Sequence, residues 1–139
     1  VLQRINLECI FRRITTQLYK LHCHGWRPRR DIDNMVHWYS RKGNTVADHL
    51  CNAAMNANSS WVWRASSMFS DLASFKICVD GGLRGKHGEP NRPASLGCVI
   101  FLVVPGQDSP KPSFTPVLLA AQPVQNLSSG FQGEAMAFE

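Results

Sequence analysis

The sequence predicts an α/β fold in which a three-stranded antiparallel meander is flanked by helices, and three observations predict it. Residues 75–80, 95–104 and 114–121 are apolar runs separated by stretches rich in Gly, Pro and Ser, which is how strands joined by turns read. Residues 1–22 carry Ile10, Ile14, Leu18 and Leu21 at the spacing of one helix face, widened by Leu7 and Phe11, with Arg12, Arg13 and Lys20 turned away. A second helical pattern opens at Asn44, a good N-cap, and runs to about residue 56 with Val46, Leu50, Cys51 and Ala54 on one face.

The elements follow in order. Gly25 and Pro28 stop the first helix. A basic loop, Trp26-Arg-Pro-Arg-Arg30, leads to a short strand at residues 35–39, and the second helix follows. Residues 57–74 read as a linker rich in Ser and Ala, where Trp61 and Trp63 are expected to anchor the linker to the core, base stacking being the other use of such rings. The run at 95–104 has no polar alternation, as in a strand buried on both faces. Ser129-Gly-Phe-Gln132 is a capping box, so a last helix should open there and carry Glu134 in its first turns. Three segments result: 1–56, the linker 57–74, and 75–139. The 19 or so linker residues could span roughly 60 Å extended, enough for the first segment to dock on the last.

Composition narrows the function classes. The chain has 139 residues, 44% hydrophobic and 18% charged, one domain's worth of globular material. No apolar stretch approaches the roughly 20 residues a membrane span needs, and no basic-then-apolar leader opens the chain. It starts at Val1 and stops at Glu139, each inside a helical pattern, which is expected of a piece of a longer protein. Five scattered cysteines without a Cys-x-x-Cys pair point to free thiols in a reducing, intracellular compartment, nucleus or cytoplasm. The net charge of +5 is uneven: residues 1–64 hold ten Lys/Arg against four acids, residues 65–139 five against six. A basic face confined to one segment suits contact with phosphates. His22, Cys23, His24, His49 and Cys51 fit no zinc-finger spacing, and the Gly-rich residues 81–88 lack the helix and lysine of a phosphate loop.

Three acids hold positions suited to metal chemistry: Asp80 at a strand's end, and Glu134 and Asp48 each about one turn into a helix. Singly, each has an ordinary reading: Asp48 as a helix-dipole acid, Asp80 as a turn former before Gly81 and Gly82, Glu134 as a surface residue. Gathered, such carboxylates can hold two magnesium ions that activate water and steady a leaving oxygen.

The contexts of these acids resemble a known family. Phe75-Lys-Ile-Cys-Val-Asp-Gly-Gly-Leu-Arg-Gly85, followed by Ala94-Ser-Leu-Gly-Cys-Val-Ile100, resembles the opening hairpin of type 1 ribonuclease H domains of the retroelement kind. Ser128-Ser-Gly-Phe-Gln-Gly-Glu-Ala-Met-Ala137 is similar to that family's first core helix, which bears the second carboxylate. Val36-His-Trp-Tyr-Ser-Arg-Lys-Gly-Asn-Thr-Val-Ala-Asp-His-Leu-Cys-Asn-Ala-Ala54 is similar to its closing block, the most specific of the three, where a strand leads through a basic turn and an Asn into the helix bearing the last Asp.

The resemblance implies a ribonuclease H-like mixed sheet, with Asp80, Glu134 and Asp48 as the first, second and fourth metal ligands. It also implies Mg2+, with Mn2+ as a substitute, an RNA–DNA hybrid as partner, and metal-dependent endonucleolytic cleavage of the RNA strand. It sets Arg41, Lys42, Asn44, Gly81, Gly82, Arg84 and Gln132 against the nucleic acid. The order departs from the family: the closing block comes first and the opening block last, as in the tail of one copy joined to the head of another, or in a circular permutant. The third carboxylate and at least the fourth strand are missing, because the family's Asp falls just ahead of a stretch like Val1-Leu-Gln-Arg-Ile-Asn6. Gly130-Phe131 stands where the family often has two Asn that meet the RNA 2′-hydroxyl. The expectation is that this chain binds nucleic acid and cuts it poorly or not at all; the alternative is a catalytically inactive nucleic-acid-binding remnant.

Overall fold

The computed structural model describes residues 2–25, 40–66, 73–125, 127, 132–133 and 136–137, with side chains along the first helix from Arg12 onward, residue 14 aside. The first helix, α1 (Leu2–Cys23), ends where Gly25 takes φ +90°. That left-handed conformation suits glycine, and Lys20 and His22 in the last turn favour the negative end of the helix dipole. Along its described part, Leu18 is half-buried, while Leu21 is 48% exposed. The expected strand at residues 35–39 and the loop before it lie outside the described residues, as do Ser129 and Glu134.

Four strands form one sheet: β1 (Trp61–Arg64), β2 (Ser74–Leu83), β3 (Ala94–Val104) and β4 (Ser113–Val124), in the order β1-β4-β3-β2. Every described pairing is antiparallel. β2, β3 and β4 are the predicted meander, so the described sheet is not mixed. Its fourth strand comes from the stretch read as linker. Asn58, at φ 48°, closes the second helix, α2 (Thr45–Ala57), in the left-handed conformation that often ends helices. The chain then turns at once into β1, which pairs along the outer edge of β4. Trp, Val and Trp suit a strand, but four residues between Ser/Asn-rich neighbours give too short a signal to read from sequence. β4 carries an irregularity, since Ile100 pairs with Leu118 and Phe101 with Pro116, leaving Val117 unpaired. Pro116 cannot donate a ladder hydrogen bond, which fits a bulge there.

α2, from the first segment, lies on the sheet of the last. Its Ala47, Leu50 and Ala54 are buried with Val99 of β3 and Ala121 of β4, and Cys78, Phe101 and Leu119 pack around them. The buried face of the helix is thus Ala47, Leu50, Cys51 and Ala54, three of them as predicted, with Ala47 in place of Val46, which is 39% exposed. Gly97 selects Ala47. A Cβ at Gly97 would sit 2.4 Å from the Ala47 carbonyl oxygen and 2.7 Å from the Cys51 nitrogen, so helix backbone rests directly on strand backbone. Only small side chains, Ala47 and Cys51, fit on the flanks of such an approach. Residues opposite one another in an antiparallel ladder share a face. Cys78 lies opposite Val99, and Asp80 opposite Gly97, so both are on the α2 side. Trp61 opposite Ala121 and Trp63 opposite Leu119 place the two indoles beside α2 at the far edge, 37% and 45% exposed.

Candidate metal and nucleic-acid site

The expected residues gather along the contact between α2 and β2. Asn44 stands at the N-cap of α2, and Asp48 donates its backbone N–H to the Asn44 carbonyl. The Asn44 side chain does no capping. It donates instead to the carbonyl of Val79, 2.7 Å away, the residue immediately before Asp80. One amide thereby ties the start of the helix that carries Asp48 to β2, in which Asp80 lies inside the strand and not at its end as the sequence suggested, because the ladder runs on to Leu83. The other end of the helix is tied as well: the Arg84 guanidinium, just past β2, donates to the side-chain oxygens of Asn56 (2.6 Å) and Asn52 (2.9 Å).

Cys51 and Ser95 hold the middle of this contact. The Ser95 hydroxyl donates to the Cys51 carbonyl at 2.5 Å, and the Cys51 sulfur lies 3.2 Å from the Ser95 carbonyl and 3.0 Å from its hydroxyl. Burial pushes the Cys51 thiol above its ordinary value, hydrogen bonds from Ser95 and Gly82 oppose this, and the negative charges of Asp80 and Asp48 add to the rise. Asp48 is 24% exposed and accepts from the Arg41 guanidinium nitrogen at 3.2 Å; Arg41 itself is 85% exposed.

The remaining expected residues are placed as follows. Gly81 and Gly82 continue β2 beyond Asp80. A Cβ at Gly82 would come within 2.8 Å of the Cys51 sulfur and the Met55 terminal methyl, so the glycine makes room for the helix. Gly133, helical and buried, lies against Gly81: a Cβ there would be 3.1 Å from the Gly81 Cα. Gln132 beside it is 8% exposed. Lys42 is exposed in the turn before α2. Glu134 follows Gly133 in the chain but lies outside the described residues.

Hard oxygen donors of this kind suit magnesium, which is commonly held by one or two carboxylates, water and substrate phosphates. No group of three His, Cys, Asp or Glu gathers among the described residues. Sequence reasoning missed the contacts that hold α2 on the sheet: the Asn44–Val79 bond, the Cys51–Ser95 pair and the Arg84 clamp. Each spans 28 or more residues, a separation that no local pattern reveals. No helix among the described residues is long and apolar enough to cross a membrane. None of the protein-family models, curated proteins or solved structures compared with this chain matches it.

Proposed function

We propose that the chain is built from a ribonuclease H-like domain, that it binds RNA–DNA hybrid, and that Asp80, Asp48 and Glu134 serve magnesium-dependent cleavage of the RNA strand. The reading rests on the resemblance of three sequence blocks. The observation that supports it is the Asn44–Val79 hydrogen bond, which joins the block that carries Asp48 to the block that carries Asp80 although the two stand in reversed order. Gly133, from the third block, lies against Gly81, the residue after Asp80.

The roles follow from chemistry. Asp80 and Asp48 supply carboxylate oxygens to the ion. Bound there, magnesium would polarise the scissile phosphate and lower the pKa of an attacking water. Arg41 and Lys42, exposed in the turn ahead of α2, offer charge to phosphates, which positions the duplex without reading its sequence. Asn44 and Arg84 are engaged within the protein and act as positioning residues.

One observation favours the non-catalytic alternative. The Arg41–Asp48 ion pair places a cation where the metal would compete for the same oxygen, so a chain that only binds would also be satisfied by this arrangement.

The deciding experiment offers end-labelled RNA–DNA hybrid to the purified chain with and without magnesium. Slow cleavage confined to the RNA strand, dependent on magnesium and lost in Asp80→Asn and Asp48→Asn, is the expected result. Salt-sensitive binding with an intact RNA strand would assign the chain to binding alone. Absence of binding would end the ribonuclease H-like reading.

A further inference from the structure

Beyond α2's first turn, on the same face of the sheet, lies a cleft of about 200 Å3 that the proposed chemistry does not use. Its walls are Gly43 to Val46 at the helix start, Lys76 and Cys78 of β2, Val99 and Phe101 of β3, and Phe114 of β4. The Phe101 and Phe114 rings meet edge to face at 6.2 Å, and the Lys76 ammonium stands 5.1 Å from the centre of the Phe114 ring. Phe114 is 46% exposed. No acid is among the described residues that line the cleft, and the exposed Arg41 and Lys42 precede it in the same turn. Val46, which a core-facing helix would bury, is 39% exposed and forms part of the wall.

We infer that this cleft receives an unpaired nucleotide of a strand that continues beyond the hybrid, its base against Phe114 and its phosphate beside Lys76. Aromatic faces combined with cations are the usual means of holding single-stranded nucleic acid, because every base offers a π-face once it is unstacked. A base inside a duplex has no free face, which is why the occupant is unpaired. The first-turn N–H groups of α2 add favourable potential for the phosphate, and the Asn44 side chain, committed to Val79, leaves them uncapped by it. Position agrees with this. Lys76 and Asp80 share a face of β2 four residues apart, about 13 Å along a strand, or roughly four steps of a nucleic-acid strand at 3.4 Å each.

This inference rests on the hybrid-binding reading, and the test separates the two. Fluorescence anisotropy with the whole chain in EDTA compares a blunt RNA–DNA hybrid with one whose DNA strand carries a tail of about six nucleotides, within the site sizes of such grooves. The tail should tighten binding roughly tenfold. Phe114→Leu and Lys76→Gln should each remove most of that gain while leaving blunt-hybrid affinity within about twofold. Lys76→Gln should also reduce the salt slope for the tailed substrate by about 0.7. Lys111→Gln, in the β3–β4 turn, is the charge control and should keep the gain. Equal affinity for blunt and tailed hybrids, or a gain that survives both variants, would overturn the inference and leave hybrid binding intact. Binding of tailed but not blunt substrate would keep the cleft and remove the hybrid reading. Binding of neither would remove both.

Discussion

Gly97 is the residue on which the helix–sheet contact turns. Its missing side chain lets the α2 backbone lie on β3, and the Ala47 carbonyl and Cys51 nitrogen occupy the space a methyl group would need. Backbone atoms give way less readily than the end of a side chain. Gly97→Ala is therefore expected to cost about 3 kcal/mol, at the upper end of overpacking penalties, measured by urea denaturation. The same change at Gly88, which has no atom within 4 Å but φ +87°, should cost about 1 kcal/mol, from backbone strain alone. The thiols give a second reading of burial. Cys23 is exposed, Cys51 is buried, and burial raises Cys51, Cys78 and Cys98, the last to about 11. A raised thiol pKa favours the protonated form in the folded state. Its contribution to stability is present below the ordinary value of 9.0 and is lost as pH rises from there through about 11. Tm should fall across that window, and Cys98→Ser should flatten the fall; an unchanged slope would show that the thiol is not held neutral. In native protein a maleimide reagent should modify Cys23 well before Cys51, Cys78 or Cys98.

At the scale of elements, α2 is held by three devices of different strength. The apolar contact is the largest: Leu50 is 5% exposed within the buried cluster, and Leu50→Ala should cost about 3 kcal/mol. The Asn44 amide is worth less. Asn44→Ala should cost about 1 kcal/mol, since it removes one hydrogen bond and leaves the Val79 carbonyl without that donor. Its signature is local: hydrogen exchange should speed up in the first turn of α2 and around Val79, and magnesium should bind more weakly. Arg84 is exposed, and its bonds to Asn52 and Asn56 should contribute a few tenths of a kcal/mol to about 1. These elements were unevenly legible in the sequence. Helices and meander declare themselves by period, by Asn44 and by turn residues. One residue of the α2 face was misread, because hydrophobicity nominates Val46 where close packing on Gly97 selects Ala47. The strand at Trp61–Arg64 was hidden because its partner, β4, lies more than 50 residues further on. The cleft was not legible, because it depends on the register of Lys76 with Phe101 and on the position of Phe114.

For the whole molecule, the consequence is that segments 1–56 and 75–139 are joined by packing as well as by the chain. α2 and β1, one from each side of Asn58, engage the same sheet. The slowest-exchanging amides of α2, β3 and β4 should therefore open together, with one common free energy, as a single cooperative unit; protection in the sheet with none in α2 would contradict this. Asp48 was legible as a helix-start carboxylate, whereas Asp80, read as a strand's end, lies inside β2. The tether between residues 44 and 79, which joins the two segments, was not legible. The proposal is that Asp80 and Asp48 make a divalent-ion site. Titration of the isotope-labelled chain with Mn2+, followed by amide NMR, tests it most directly. The expected result is early, selective broadening of residues 47–49 and 79–82, reversed by excess magnesium and abolished in Asp80→Asn. Broadening spread evenly over the surface acids, or centred on Glu89 or Asp108, would contradict it.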